Sequence, residues 1–115
     1  MSFPHVDDDA LRELQVVMGD EFGNLLKTFV TDSAGRIAAA QQAAAVADSD
    51  ALRRAAHSFK GSSGNMGTPM LSELCRRIEE LAHGGDIESC IPLLAELKEE
   101  FVVVQRELSR FNPNP

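Results

Sequence analysis

Apolar residues recur every three or four positions along most of the chain, which is the spacing of amphipathic helices. The first such segment covers 7–20, begins with acidic residues suited to a helix N-terminus and can end at Gly19. Its apolar positions are Leu11, Leu14, Val17 and Met18. A long second helix follows, whose predicted inner face consists of Phe22, Leu25, Leu26, Phe29, Ile37, Ala40 and Ala44.

Three further helices are predicted. The third restarts after the Asp/Ser cluster at 48–50, has Leu52, Ala56, Phe59 and Ser63 as its inner face, and ends in the turn 64–67. The fourth begins with Thr68 as N-cap and Pro69 at the first helical position, and buries Leu71, Leu74, Cys75, Ile78 and Leu81. The last helix carries Leu94, Leu97, Phe101, Val104, Leu108 and Phe111, and Pro92 implies that it either begins near Cys90 or is kinked early.

Four long amphipathic segments joined by short loops predict an all-α fold. We expect an antiparallel four-helix bundle with an additional short N-terminal helix packed at one end, forming a single domain over 1–115. The composition agrees, because the chain has no Trp or Tyr and 43% apolar residues. The terminal residues 112–115 are expected to form a frayed tail.

Charge and composition exclude several classes of function. The net charge of −7 disfavours nucleic-acid binding, and no segment approaches the roughly 20 apolar residues of a membrane span. The acidic N-terminus lacks the pattern of a secretory signal, so we expect a cytoplasmic protein. Cys75 and Cys90 are predicted to be reduced core residues. His5 and His83 match no motif and have no metal-ligand spacing with the cysteines.

His57 is the most informative polar residue. The helical period turns it away from the inner face of its helix, with Arg53 and Arg54 one turn before it and Lys60 and Gly61 one turn after. Glycine in a helix costs about 0.5–1 kcal/mol relative to alanine, so Gly61 and Gly64 suggest space cleared for an approaching body. An exposed imidazole among cations can act as a nucleophile that carries a phosphoryl group.

A less specific interpretation of the same residues is also available. An exposed histidine on a helix is usually only solvated, and the glycines could serve close helix packing or an extended C-cap. The chain could then be a helical adaptor that binds a partner through its surface. The residues alone leave both interpretations open.

The segment HSFKGSSGNMG at 57–67 resembles the signature of histidine-phosphotransfer (HPt) domains: His, two residues, Lys-Gly, two small residues and a glycine ten positions after the His. The segment LCRRIEELA at 74–82 resembles the helix that follows in that family. The resemblance implies a stand-alone bacterial phosphorelay intermediate. It implies that His57 is phosphorylated, that Lys60 contacts the phosphoryl oxygens, and that Gly61 and Gly64 keep the approach open.

Glu79 is a further candidate. If the third and fourth helices form a hairpin turning near Met66, His57 lies level with 76–79, and some family members have a carboxylate at the place of Glu79. That carboxylate would accept from Nδ1–H and leave Nε2 to attack. The alternative is an exposed Glu paired with nearby Arg residues.

The resemblance also implies the partners. These are the receiver domains of hybrid sensor histidine kinases and of a response regulator. We expect a monomer, because a carrier needs its histidine face free. No ATP-binding motif and no Mg²⁺-binding Asp cluster is visible, so the chain is expected to be a carrier without cofactor and not an enzyme, with Mg²⁺ on the receiver. Met18, Phe22 and Gly23 are candidate docking residues, although Met18 and Phe22 could be core. An HPt-like fold that docks without transferring phosphate is a weaker possibility, because the HxxKG motif is intact.

Overall fold

The computed structural model describes residues 2–111, and the secondary structure of that range is entirely helical, with no β-strand. Five α-helices follow one another. A short 3₁₀ turn at Gly19–Glu21 precedes the second helix, and another at Ser109–Phe111 follows the fifth. The helices are α1 Asp8–Met18, α2 Phe22–Ala45, α3 Ser49–Asn65, α4 Pro69–His83 and α5 Ile87–Leu108. None of them is long and apolar enough to span a membrane, within the residues described.

Helices α2 to α5 form the four-helix bundle. Helix α3 packs against α2 and α4, and α5 packs against the same two helices from the other side, so α3 and α5 lie diagonally opposite each other. The α3–α4 interface is the most extensive of the four. This arrangement confirms the fold class predicted from the periodicity. It also leaves the outer face of α3 open to solvent.

The connections within the bundle are tight turns. After α2, α3 and α4 the chain takes a positive φ at Ala47, Gly67 and Gly85 respectively. At each of these ends an amide reaches back to the carbonyl five residues earlier: Asp48 to Ala43, Thr68 to Ser63 and Asp86 to Leu81. This left-handed helix end favours glycine, which is present at two of the three positions.

The core consists mostly of the predicted inner faces. The largest fully enclosed side chains include Phe22, Phe59, Leu52, Leu74 and Ile78. Of the four apolar positions noted in the first segment, Val17 is 80% exposed, and Leu11 is the one residue of α1 that is fully buried. The α1 helix covers one end of the bundle with a single face, and Val17 lies outside that face.

Two helix starts differ in detail from the sequence-based prediction. Thr68 is the N-cap residue of α4 and Pro69 its first residue, as predicted, but the Thr68 hydroxyl makes no capping bond and donates to the carbonyl of Ser63 at 2.9 Å. Helix α5 begins at Ile87, earlier than expected, because Asp86 caps it by accepting from the Ser89 amide at 3.1 Å. Pro92 therefore lies inside the second turn, where its missing N–H removes one helical hydrogen bond.

The N-terminal segment before α1 is attached to the bundle. The Asp7 amide donates to the carbonyl of Gly67 at 2.8 Å, and the Met70 amide donates to that of Pro4 at 3.3 Å. These bonds hold α1 over the α3–α4 turn. The helix thus packs at one end of the bundle, as the short length of its segment predicts.

Candidate functional site

His57 lies on the outer face of α3, with its side chain 65% exposed. Its Nδ1 is 2.7 Å from Oε2 of Glu79 on α4. An ionised carboxylate can only accept, so the hydrogen of the neutral imidazole lies on Nδ1 and is donated to Glu79. The lone pair on Nε2 is then free.

The antiparallel register of α3 and α4 produces this contact. The two helices are joined by the turn through Gly67, and the hairpin brings His57 level with Glu79, 22 residues later. Ser72, nearer the turn, donates to the carbonyl of Lys60 at 3.2 Å and so links the same two helices. The geometric expectation for the level of Glu79 agrees with the structure.

Glu79 also contacts Lys60. Lys60 Nζ lies 2.6 Å from Oε1, so the two oxygens of one carboxylate hold the imidazole and the ammonium at once. Partial burial of Glu79 would raise its pKa, but the bonds from Lys60 and His57 outweigh that effect and hold the pKa below its ordinary value. The carboxylate is therefore ionised at neutral pH.

The two glycines near His57 have different surroundings. A Cβ added at Gly61 would meet no atom within 4 Å, whereas one at Gly64 would lie 3.7 Å from Oγ of Ser72. Gly61 therefore leaves the surface beside His57 open. Gly64 faces α4, at a distance where an added methyl would make ordinary van der Waals contact.

The arginines one turn before His57 are occupied by a carboxylate. Asp50 accepts from Arg53 at 2.9 Å and lies 3.0 Å from Nε of Arg54. The hydrogen bond from Arg53 is the largest of several effects that hold the pKa of Asp50 below its ordinary value. One carboxylate compensates for only one of these two positive charges, whereas Lys60 directly contacts the imidazole's own partner, Glu79.

Both cysteines are free and buried, as expected. Cys75 lies one turn before Glu79 on α4, and burial together with the charge of Glu79 raises the pKa of its thiol to about 12. A thiol with such a pKa remains protonated at neutral pH and is a poor nucleophile. Cys75 belongs to the core beneath the site.

An apolar groove of about 370 Å³ runs between α1, α2 and α3. Met18 lines it, together with Ser62 of α3. The other docking candidates lie elsewhere: Phe22 is fully buried in the core, and Gly23 lines a separate groove against Gln105 of α5. The burial of Phe22 confirms the alternative that it is a core residue, and Gly23 does not share the groove of Met18, because successive residues of α2 face different neighbours.

Sequence reasoning missed two long-range contacts. His5 Nδ1 lies 2.7 Å from Oε2 of Glu100, a buried carboxylate on α5. Arg36 Nε donates to Oγ of Ser58 at 3.3 Å. His83 lies near Lys60 and Glu79 at the α4 C-terminus. Within the described residues, no group of three or more His, Cys, Asp or Glu side chains is arranged to hold a metal ion.

Comparisons with known proteins agree on one family. The model of the Hpt domain matches residues 24–107. Histidine-containing phosphotransfer protein B (HptB) from Pseudomonas aeruginosa is 39% identical, with 99% of each chain covered and a TM-score of 0.93. The phosphotransfer protein ZmHP2 from maize is 22% identical, with 93% of this chain and 88% of that chain covered and a TM-score of 0.78.

The likeness to the maize protein concerns the fold, since its identity is low. A comparison with curated protein sequences gives no match. The family match covers most of the chain and includes His57, and the bacterial structure aligns over nearly its whole length. The chain therefore belongs to the Hpt domain family of histidine-containing phosphotransfer proteins.

Proposed function

We propose that this protein is a phosphorelay intermediate that carries a phosphoryl group on His57. The group comes from the aspartyl phosphate of a receiver domain of a hybrid sensor kinase and passes to the receiver aspartate of a response regulator. One observation carries the proposal: an exposed imidazole whose Nδ1 is held by a carboxylate, leaving Nε2 free on an open surface.

The chemistry follows from the tautomer. The Nε2 lone pair attacks phosphorus, the bond from phosphorus to the aspartyl oxygen breaks, and that oxygen leaves as part of a carboxylate. The imidazole retains its hydrogen on Nδ1 and becomes positively charged. Glu79, 2.7 Å away, stabilises this charge, as a buried Asp does for the histidine of a catalytic triad. Glu79 is thus a positioning residue.

Lys60 is proposed to contact the phosphoryl oxygens. Its ammonium is held by Glu79, which accepts from His57 with its other oxygen, so the cation is kept on the histidine side of α4. An oxyanion bound on Nε2 competes with Glu79 for the three donors of the ammonium. Positioning and charge of this kind account for most of the catalysis of phosphoryl transfer.

The proposed carrier requires neither a nucleotide nor a metal of its own. Mg²⁺ is expected on the acidic site of the receiver, where it would supply positive charge to stabilise the aspartate oxygen. Gly61 leaves room for that surface to approach His57. The groove that contains Met18 is the proposed apolar part of the docking face.

Phosphate uptake from a receiver tests the proposal. Receiver domains of hybrid kinases are phosphorylated with acetyl phosphate and Mg²⁺, cleared of the small donor and mixed with the wild-type protein or with His57→Gln. Intact mass and acid lability identify the product. We expect one acid-labile phosphoryl group on the wild type and none on His57→Gln.

Matched controls distinguish the site from its neighbours. Ser58→Ala and Ser62→Ala, which replace the two serines that follow His57 most closely on α3, should each still acquire one acid-labile phosphoryl group. Acid-stable label that survives His57→Gln but disappears in a serine variant would contradict the proposal. So would a folded wild type that binds receivers yet takes no phosphate, which would support the adaptor hypothesis.

A further inference from the structure

Arg36 is the cation that borders the histidine face from α2. Its Nε donates to Oγ of Ser58 at 3.3 Å, and Ser58 directly follows His57 in the chain. Successive residues of a helix point about 100° apart, so His57 contacts α4 and Ser58 contacts α2. The guanidinium of Arg36 therefore lies at the level of His57, on the opposite side of α3 from Lys60.

The charge of Arg36 is not neutralised within the part of the chain that the structure describes. Lys60 pairs with Glu79, and Arg53 pairs with Asp50, but Arg36 has no carboxylate within ion-pair distance. Asp32, one turn earlier on α2, lines the same groove without reaching it. The hydrogen bond from Arg36 to Ser58 is exposed to solvent, and a guanidinium that makes only one long bond to a neutral hydroxyl retains most of its capacity to donate.

The surroundings of Arg36 are those of an interface residue. Arg36 lines the groove of about 370 Å³ that also contains Met18. The apolar side chains of this groove are Leu14, Met18, Leu25, Phe29 and Met66. An arginine beside an apolar depression is a frequent anchor of protein interfaces, because its planar fork packs on apolar surface and binds carboxylates with two donors.

We infer that Arg36 is a specificity-determining residue, which leaves Ser58 and binds a carboxylate on the docked receiver domain. This inference rests on the proposed function. The partner's chemistry supports it, since a receiver holds its phosphate and Mg²⁺ among acidic side chains. On a carrier whose net charge is −7, an unpaired cation beside the histidine selects the acidic face for contact. Arg36 therefore acts on recognition, and the transfer step depends on His57 and Lys60.

The test compares Arg36→Glu and Arg36→Gln with Arg106→Glu. Arg106 is an exposed residue of α5, diagonally opposite α3, so Arg106→Glu makes the same change of charge away from the site. Phosphate uptake is measured as a function of the concentration of an acetyl-phosphate-loaded receiver, at low and at high salt. We expect Arg36→Glu to raise the half-saturating receiver concentration about tenfold and Arg36→Gln to raise it less.

The maximal rate at saturating receiver should remain that of the wild type. Added salt should reduce the difference in half-saturating concentration between Arg36→Glu and the wild type, because salt screens exposed charges at the edge of an interface. Unfolding temperatures verify that each variant is folded. Arg36→Glu with an unchanged half-saturating concentration, or with a reduced maximal rate alone, would overturn the inference while leaving the carrier proposal intact. A wild type that takes no phosphate would overturn both.

Discussion

Glu79 accepts a hydrogen bond from Nδ1 of His57 at 2.7 Å, across the interface between α3 and α4. The same carboxylate lies 2.6 Å from Nζ of Lys60. One partly buried side chain therefore sets the tautomer of the imidazole and the location of the neighbouring cation. Substitutions of Glu79 can separate its role as hydrogen-bond acceptor from the effect of its negative charge.

Glu79→Gln and Glu79→Ala should differ in phosphate uptake. The amide oxygen of Gln can still accept from Nδ1–H, but it carries no charge to stabilise the phosphorylated imidazolium, so we expect a moderate decrease in rate. Ala removes the acceptor as well, and we expect a decrease of about tenfold or more, since a hydrogen bond to a charged group contributes about 1.5–3 kcal/mol. Single-turnover rates at saturating receiver measure both. Equal rates for Ala and wild type would exclude a positioning role.

Glu79 should also make the fold less stable in acid. Its pKa is below the ordinary value of 4.5 in the folded state, so the folded protein binds fewer protons than the unfolded one. This contribution is present above pH 4.5 and is lost as the pH falls through the lower, folded-state pKa. Glu79→Gln should therefore have a shallower decline of unfolding free energy below pH 4.5 than the wild type.

Urea titrations between pH 3 and 6 measure that decline. Glu96→Gln is the control, because Glu96 is exposed on α5 and forms no ion pair among residues 2–111. The control should retain the wild-type slope. If Glu79→Gln retained it too, the contacts with His57 and Lys60 would not be the source of the lowered pKa.

Substitutions of Gly61 should affect the stability of the fold and the uptake of phosphate in opposite directions. It lies in the interior of α3 with no atom within 4 Å of an added Cβ, so Gly61→Ala should stabilise the fold by about 0.5–1 kcal/mol. Larger residues at the same position would project into the space that the receiver occupies. The series Ala, Leu and Phe should keep the stability of a helix former while phosphate uptake falls with side-chain size.

Thermal unfolding and uptake kinetics on the same samples provide both readouts. Ala95→Leu is a matched control, since Ala95 is an exposed position within α5, diagonally opposite α3. If Gly61→Phe took up phosphate at the wild-type rate, the partner would not approach over this part of α3.

Much of the architecture could be predicted because it depends on local periodicity. The inner face of α3, from Leu52 to Ser63, follows from the 3.6-residue repeat alone. The level of Glu79 opposite His57 follows from the length of the hairpin between them. Both are relationships within one helix or across one short turn.

The two missed contacts differ in kind. His5 and Glu100 are separated by 95 residues and meet only through tertiary packing, which has no periodic signature. Arg36 and Ser58 are 22 residues apart across the α2–α3 turn, just as His57 and Glu79 are across the α3–α4 turn, so the same count along the hairpin places them level. The start of α5 was uncertain for another reason: Asp86 provides a strong cap, so the helix tolerates Pro92 in its second turn, where propensity alone suggests a boundary.

The His5–Glu100 pair should stabilise the fold without affecting transfer. Glu100 is buried on α5, and His5 Nδ1 lies 2.7 Å from its Oε2. His5→Ala leaves this buried carboxylate without its partner, which should lower the unfolding free energy by about 1–3 kcal/mol. The double variant His5→Ala with Glu100→Gln should recover part of the loss, since a buried neutral amide is less costly than an unpaired charge. Denaturant titration measures these changes, and uptake on His57 should remain normal in both variants. A loss of uptake in a folded His5→Ala protein would instead connect the N-terminal segment to the site.

Ala47 has an unfavourable backbone conformation at the end of α2. Its φ is +56°, in the left-handed region where a Cβ costs about 1–2 kcal/mol, whereas Gly67 and Gly85 occupy the equivalent places after α3 and α4. Ala47→Gly removes that strain but increases the entropy of the unfolded chain, which offsets about 0.4–1 kcal/mol of the gain. We expect a net stabilisation of about 0.5–1 kcal/mol in urea unfolding. Ala39→Gly, within the helical region of α2, is the matched control and should destabilise by about 1 kcal/mol. Because the same chemical change is predicted to have opposite signs at the two positions, destabilisation at both would show that the turn after α2 gains nothing from a glycine.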